Sequence, residues 1–325
     1  MDINRPALYL EGIELPEDWI VKNRIIPLDE TIGTKFAESY IVESKKSQSA
    51  IMKALDFSVA LAAPNPLVAL KELTDKYEFE KELLELCKEN KLKNIVKILH
   101  TGVIPALEGG IIPVPYFILE YSADDIKGKI QLDSYLNLAW LLKILHNTTN
   151  GLFQLHKLNV SYQNMKPENI KMFSDELYKL SELGNAEIKG IERNEIKQFN
   201  DHDPAYLTPE TLYGYIESDW IHRCQSADLY HLGNLIFFLF TQTTFNTWLF
   251  FYLNENHRWD KWGGTYQEVI PYLIDAYDKA LCHFTVYVEN EKIKPKLEAV
   301  LASLCHPDPQ KRGHIRNSNT NKLGP

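Results

Sequence analysis

Tyr162-Gln163-Asn164-Met165-Lys166-Pro167-Glu168-Asn169-Ile170 is the polar run that decides how the rest of the chain is read. Asn164 and Asn169 stand five positions apart, with Lys166 between them. A side-chain amide accepts a hydrogen bond through its carbonyl but takes up no proton at neutral pH. Upstream, Leu136 to His156 carries a long helical pattern ending in Gly151-Leu152-Phe153-Gln154-Leu155-His156. Downstream, Glu182 lies eighteen positions after Asn164, within Tyr178-Lys179-Leu180-Ser181-Glu182-Leu183-Gly184. Three further segments follow: Pro204-Ala205-Tyr206-Leu207-Thr208-Pro209-Glu210, then Ser226-Ala227-Asp228-Leu229-Tyr230-His231-Leu232-Gly233, and near the end His306-Pro307-Asp308-Pro309-Gln310-Lys311-Arg312.

In this shared order, from about Ile25 to Arg312, the segments resemble the catalytic domain of the eukaryotic-type (Ser/Thr) protein kinase family. Lys166-Pro167-Glu168-Asn169 matches the Lys-Pro-Glu-Asn of its catalytic loop letter for letter, while the His-Arg-Asp before it has become Tyr162-Gln163-Asn164. In the family that Asp takes the substrate hydroxyl's proton and the Asn five residues later holds a metal. The resemblance is therefore to a degenerate member, a pseudokinase, with Asn164 in place of the catalytic Asp and Lys166 beside it as candidate catalytic residues. It also implies Asn169 and Glu182 as metal-site residues, Glu182 standing where the family's magnesium-binding Asp should be. Asp228 would anchor the catalytic loop through its backbone N–H groups, and Arg312 would pair with Glu210. Gln163, being neutral, cannot reproduce the grip of an arginine on a phosphorylated activation segment, so switching by phosphorylation of Tyr206, Thr208 or Thr211 is not supported.

The N-terminal half supplies the rest of an ATP site. Ile25 to about Leu55 reads as strands, and Glu30 to Tyr40 lies where a glycine-rich phosphate loop belongs, with Ile32, Thr34 and Ala37 at the glycine positions. Side chains there keep backbone N–H groups away from phosphates. Ala50-Ile51-Met52-Lys53 resembles the strand that carries the phosphate-pairing lysine, which makes Lys53 the candidate. Its glutamate partner falls in a helical pattern over Tyr77 to Asn90, with Glu82 favoured and Glu80 and Glu85 as competitors. Val114 to Tyr121 resembles the strand into the hinge, which implies Leu119 or its close neighbour as gatekeeper and the backbone of Glu120, Tyr121 and Ser122 facing adenine. The expected cofactor is ATP, with Mg or Mn held weakly or not at all.

The implied fold is α+β and bilobal: a kinase-like N-lobe over residues 24–121, small and β-rich, and a larger, mainly helical C-lobe over 122–313. A 1–23 extension and a 314–325 polar tail flank them. With 325 residues and 45% hydrophobic content the chain can fill such a core. A formal charge of -9 excludes general nucleic-acid or anionic-membrane binding. Cys87, Cys224, Cys282 and Cys305 show no C-x-x-C pair and read as ordinary buried thiols. The acidic start lacks a secretory layout, which predicts a cytoplasmic protein unless a specialised secretion system carries it into another cell. Leu232 to Leu253 is apolar but interrupted by Thr241-Gln242-Thr243-Thr244 and reads as a buried helix rather than a membrane span. The aromatic-rich region 245–262 holds Phe245, Trp248, Phe250, Phe251, Tyr252, Trp259 and Trp262. Most of these read as core, and the remainder as the place where a protein partner would dock. The expected function is that of a regulatory or scaffold module; the alternative is a weakly active or atypical ATP-dependent kinase or a nucleotidyl transferase.

Overall fold

A computed structural model of the chain describes residues 5–26, 37–106, 112–122, 124–132, 137–174, 176–191 and 203–313. Of the glycine-loop positions, Ile32 and Thr34 lie outside the described residues, as does the polar tail 314–325, while Ala37 is described. The chain divides into two compact units, Met1–Asp125 with Lys171–Gly184, and Ile126–Ile170 with Asn185–Pro325.

The first unit is built on a six-stranded antiparallel sheet. Its strands are β1 (Glu14–Leu15), β2 (Trp19–Ile25), β3 (Ala37–Ser44), β4 (Ser49–Leu55), β5 (Ile98–Ile104) and β6 (Val114–Glu120), in the order β1-β2-β3-β4-β6-β5. Alternation of side chains across a strand sends Ala50, Met52 and Ala54 of β4 into a core with Tyr40, Val42, Tyr116 and Ile118, and leaves Ile51 and Lys53 on the other face. That core also contains Ala7, Leu10, Leu15, Trp19 and Val21. The Tyr40 hydroxyl donates to the Ala7 carbonyl (2.6 Å), and Arg5 reaches Asp56 (2.6 Å) and Glu38 (3.3 Å). Residues 5–23, set apart in the sequence reading as an extension, are therefore part of this unit: their apolar side chains complete one face of its sheet.

Two helices follow β4. α1 (Phe57–Leu61) is capped by Asp56, whose carboxylate accepts from the Ser58 N–H. α2 (Pro66–Glu89) is capped by Asn65 and opened by Pro66 at its first position, where proline's missing N–H costs nothing. It begins eleven residues before the expected Tyr77. A three-stranded sheet closes the unit, with β7 (Asp124–Asp125), β9 (Ile170–Ser174) and β10 (Leu177–Leu180) in the order β10-β9-β7. The Leu180 N–H donates to Asn94 O and the Val96 N–H to Leu180 O. These backbone bonds are why 171–184 belongs with the β-rich unit and not, as a boundary at 121/122 implied, with the helical one.

The second unit is mainly helical. It contains α3 (Ile126–Leu132), α4 (Leu138–Lys157), the short pair β8 (Val160–Ser161) and β11 (Glu187–Ile188), then α5 (Pro209–Leu212), α6 (Ser226–Thr241), α7 (Phe245–Tyr252), α8 (Tyr266–Phe284) and α9 (Lys294–Leu304). α6 is buried on nearly every side, as expected of a helix that is apolar all round. Gly233 permits its closest approach: a Cβ there would meet Cys305 Sγ at 2.3 Å and Leu304 Cβ at 3.1 Å. The apolar stretch 232–253 is two helices rather than one. Gln242 turns left-handed (φ 57°) to end α6, and the Thr244 side chain accepts from the Thr247 N–H to start α7. Among the described residues no helix is long and apolar enough to cross a membrane. Cys87, Cys224 and Cys305 are buried free thiols, but Cys282 is exposed, because it lies on the outer face of α8.

A buried ion pair ties the end of the described chain to α5. Arg312, fully buried, donates from Nη1 and Nη2 to the two carboxylate oxygens of Glu210 at 2.7 and 2.6 Å. It also donates to the carbonyls of His306 and Pro307 and lies 4.8 Å from the centre of the Tyr230 ring. Breaking one side of such a pair leaves an uncompensated charge and typically costs ~3–5 kcal/mol. Arg312→Met is expected to lose that much in urea denaturation, and Arg312→Met with Glu210→Leu to regain most of it.

Candidate functional site

The candidate residues form two groups, one in each unit. In the β-rich unit, Lys53 sits on β4 opposite Phe117 of β6, and its ammonium lies 5.6 Å from the centre of the Phe117 ring. Its Nζ donates to Glu182 Oε2 at 2.6 Å and to Glu80 Oε2 at 3.4 Å. Glu80 is therefore the helical carboxylate that meets Lys53, and the favoured Glu82, like Glu85, faces solvent. The register of α2 explains it. Tyr77 stacks on Phe117 (5.7 Å between centroids) and donates its hydroxyl to the Tyr116 carbonyl, and Glu80 follows one turn later on that face. Glu80 also belongs to the buried stripe of Leu83, Leu84 and Cys87, at spacings of three, four and seven, whereas Glu82 does not.

Gly184 makes room for this arrangement. A Cβ there would stand 3.1 Å from Lys76 Cε and 3.3 Å from Glu80 Oε2. Glu182 has a left-handed backbone (φ 56°), which non-glycine residues adopt at a cost and which clusters at functional sites. Burial and charge oppose each other in the titration of Lys53, Glu80 and Glu182. Burial pushes Lys53 down, but Glu182 and then Glu80 more than offset it and hold the ammonium above its ordinary value. Burial raises the Glu80 carboxyl, Lys53 offsetting only part of this and the Glu182 charge adding to it. Burial also pushes Glu182 up, and the Lys53 charge and hydrogen bond overcome it, leaving that carboxyl below the usual range.

At the hinge positions, Leu119 is half-buried between Ile51 and Ile98, and Tyr121 is exposed. Glu120 holds structure together: its N–H donates to Lys97 O, and its carboxylate accepts from the Lys97 N–H (2.8 Å) and from Lys179 Nζ. Lys171 pairs with Asp125 at 3.1 Å across β9 and β7. Sequence reasoning missed the Lys179–Glu120 and Lys171–Asp125 pairs. Neither follows from local spacing, since the partners are 59 and 46 residues apart.

In the helical unit, Asp228 of α6 anchors the catalytic loop, as expected. Its carboxylate accepts from the Tyr162 N–H (2.8 Å), the Gln163 N–H (2.7 Å) and Ser161 Oγ (2.7 Å), and His156 Nε2 lies 2.8 Å away. Tyr162 is fully buried. Gln163 is left-handed (φ 59°), and its amide donates to Ser161 Oγ and to the Cys224 carbonyl. The Asn164 carbonyl accepts from Asn169 Nδ2 at 2.9 Å, and the Lys166 ammonium lies 5.2 Å from the centre of the Tyr206 ring.

Asn164 and Lys166 line a cavity of about 570 Å³ with Tyr206, Thr208, Trp220 and Arg223. Three carboxylates also line it: Glu187, Glu210 and Glu217. Glu210 is held by Arg312, and Glu217 accepts from the Ser218 N–H and the Gln310 amide.

A family model described as the protein kinase domain matches residues 57–322, most of the chain, and the chain belongs to that family. Human cyclin-dependent kinase 9 is 24% identical over 157 residues, 46% of this chain and 38% of that protein. Its Danio rerio counterpart is 22% identical over 219 residues, 63% of this chain and 54% of that protein. CBL-interacting protein kinase 11 of Oryza sativa subsp. japonica is 27% identical over 128 residues, 38% of this chain and 24% of that protein. The chain thus spans about half the length of these relatives or less.

Protein kinase domains work on ATP with magnesium. The fit of magnesium to the residues here is poor on the Glu182 side, because one carboxylate oxygen already holds an ammonium at 2.6 Å and Mg²⁺ demands near-ideal oxygen geometry at ~2.0–2.1 Å. Asn169 fits better: its amide nitrogen is anchored on the Asn164 carbonyl, and its oxygen is the atom a cation would take.

Lys53→Met removes the charge that offsets the buried Glu80 and the half-buried Glu182. A carboxyl whose folded pKa is raised destabilises the fold as pH climbs through that value, because the native state then binds more protons than the unfolded one. The variant is expected to lose ~3–5 kcal/mol near pH 8. Part of the loss should return on lowering the pH toward the ordinary glutamate range near ~4.3, where Glu80 is protonated. Urea titrations from pH 5 to 8 read both effects.

Proposed function

We propose that this chain is a pseudokinase, a kinase-shaped regulatory or scaffold module that transfers phosphate poorly or not at all. One observation carries the reading. The loop position that needs a proton acceptor holds Asn164, and of the carboxylates lining the same cavity, Glu210 and Glu217 are committed to Arg312 and to Gln310 and Ser218. Loss of a general base costs ~10²–10⁴ in rate. The Glu182 carboxylate on Lys53 adds to the deficit, since it neutralises the ammonium that a phosphate would need.

Such a module acts through a partner. Within the 245–262 region Phe245 and Leu249 are buried, Trp259 packs on Phe250 (4.8 Å) and Trp262 donates to the Thr265 carbonyl, while Phe251 is 64% exposed. Phe251 is therefore the residue of that region best placed to meet a protein. Phe251→Ala should weaken capture of the native partner while leaving the thermal melt unchanged, and an undiminished capture would remove Phe251 from the surface.

The reading is tested with the full chain, ATP and either Mg²⁺ or Mn²⁺, followed by mass spectrometry of the protein and of added peptide substrates. No phosphate and no nucleotide adduct is expected. A phosphate adduct that disappears in Lys53→Met would instead make the chain a weak kinase, and a nucleotide adduct a nucleotidyl transferase.

A further inference from the structure

We propose that Glu182 is a tethered counter-anion for Lys53, occupying the ammonium that a polyphosphate would need, rather than a ligand for that polyphosphate's metal. The inference rests on the pseudokinase reading and specifies what its Lys53 site does.

The geometry separates the two carboxylates that reach Lys53. Glu80 is rooted in α2, has a side chain only 8% exposed and approaches no closer than 3.4 Å. Glu182 makes the short contact at 2.6 Å, and with a side chain 34% exposed it is the one that has a route to water. Lys53 itself is 13% exposed and flanked by the Phe117 ring. An incoming polyanion must therefore displace Glu182 to reach the ammonium. Lys76 and Lys171 add positive field at Glu182 and help keep its carboxylate charged, and Lys171 is itself paired with Asp125.

A metal ligand and a counter-anion respond oppositely to loss of charge. Glutamine keeps the length of the side chain and a carbonyl that can accept from Lys53, but removes the negative charge. If Glu182 held a metal, Glu182→Gln would weaken magnesium-dependent binding of a nucleotide. If it neutralises Lys53, the same change releases the ammonium and strengthens binding of polyphosphate without any metal.

The full chain is titrated calorimetrically with ATP and, separately, with inorganic triphosphate, each in EDTA and in excess Mg²⁺. Glu182→Gln should bind both ligands in EDTA about tenfold more tightly than the unaltered chain, or better. Lys53→Met combined with Glu182→Gln should lose that gain, and Glu80→Gln, which leaves Glu182 in place, should stay near the unaltered chain. Glu182→Ser provides a second route to the same result, and thermal melts identify any variant that does not fold. The proposal is overturned if the Glu182 variants bind no tighter in EDTA, if they bind weaker in Mg²⁺, or if Glu80→Gln gains as much. Phosphate transfer by the unaltered chain would sink the pseudokinase reading alone, since it is scored by mass spectrometry and leaves the affinity comparison intact.

Discussion

Asp228 does for the helical unit what no local sequence feature could do. A carboxylate buried on α6 accepts hydrogen bonds from two consecutive backbone N–H groups, those of Tyr162 and Gln163, and from Ser161 Oγ, more than sixty residues earlier in the chain. Buried donors left unpaired would each cost ~1–3 kcal/mol, so this single acceptor fixes the loop's path and makes its left-handed Gln163 tolerable. With that path set, Asn164 and Asn169 come into register, the second bonding back to the carbonyl of the first. The loop thus keeps the scaffold of a phosphate-transfer site while carrying an amide where the chemistry wants a base.

The β-rich unit shows the same separation of scaffold from chemistry. Tyr77 sets the register of α2 against Phe117, Gly184 leaves room for Glu80, and β4 delivers Lys53 between two carboxylates. Each contact is one that a working site would also require. The acid nearest the ammonium is Glu182, at 2.6 Å against 3.4 Å for Glu80.

Much of this was legible in the sequence. Lys53, Asn164, Asn169 and Glu182 stand out as candidates, and the Asp228 contacts and the Arg312–Glu210 pair are anticipated, because their motifs are short, ordered and rich in residue types with narrow chemical roles. Glu80 was ranked below Glu82 because a run of alternating acids and lysines blurs helical phase. The buried stripe of Leu83, Leu84 and Cys87 was the signal that would have resolved it. The role of residues 5–23 was not legible, since added edge strands such as β1 and β2, and a segment such as Ala7–Leu10 packed on the sheet face, are recognised by what they meet and not by any motif. The break between α6 and α7 was visible as Thr241-Gln242-Thr243-Thr244, yet a run of apolar residues gives no sign of where one helix stops and the next begins until the left-handed turn at Gln242 is seen.

The way the first residues seal the sheet bears on how this protein can be divided. The family match starts at Phe57, past β4. A fragment cut there would keep the helices yet discard four of the six strands of the main sheet, the Ala7 and Leu10 lid over Tyr40 and Met52, and Lys53 itself. The stretch detectable by similarity and the β-rich unit therefore have different beginnings, since β1 to β4 all lie before Phe57.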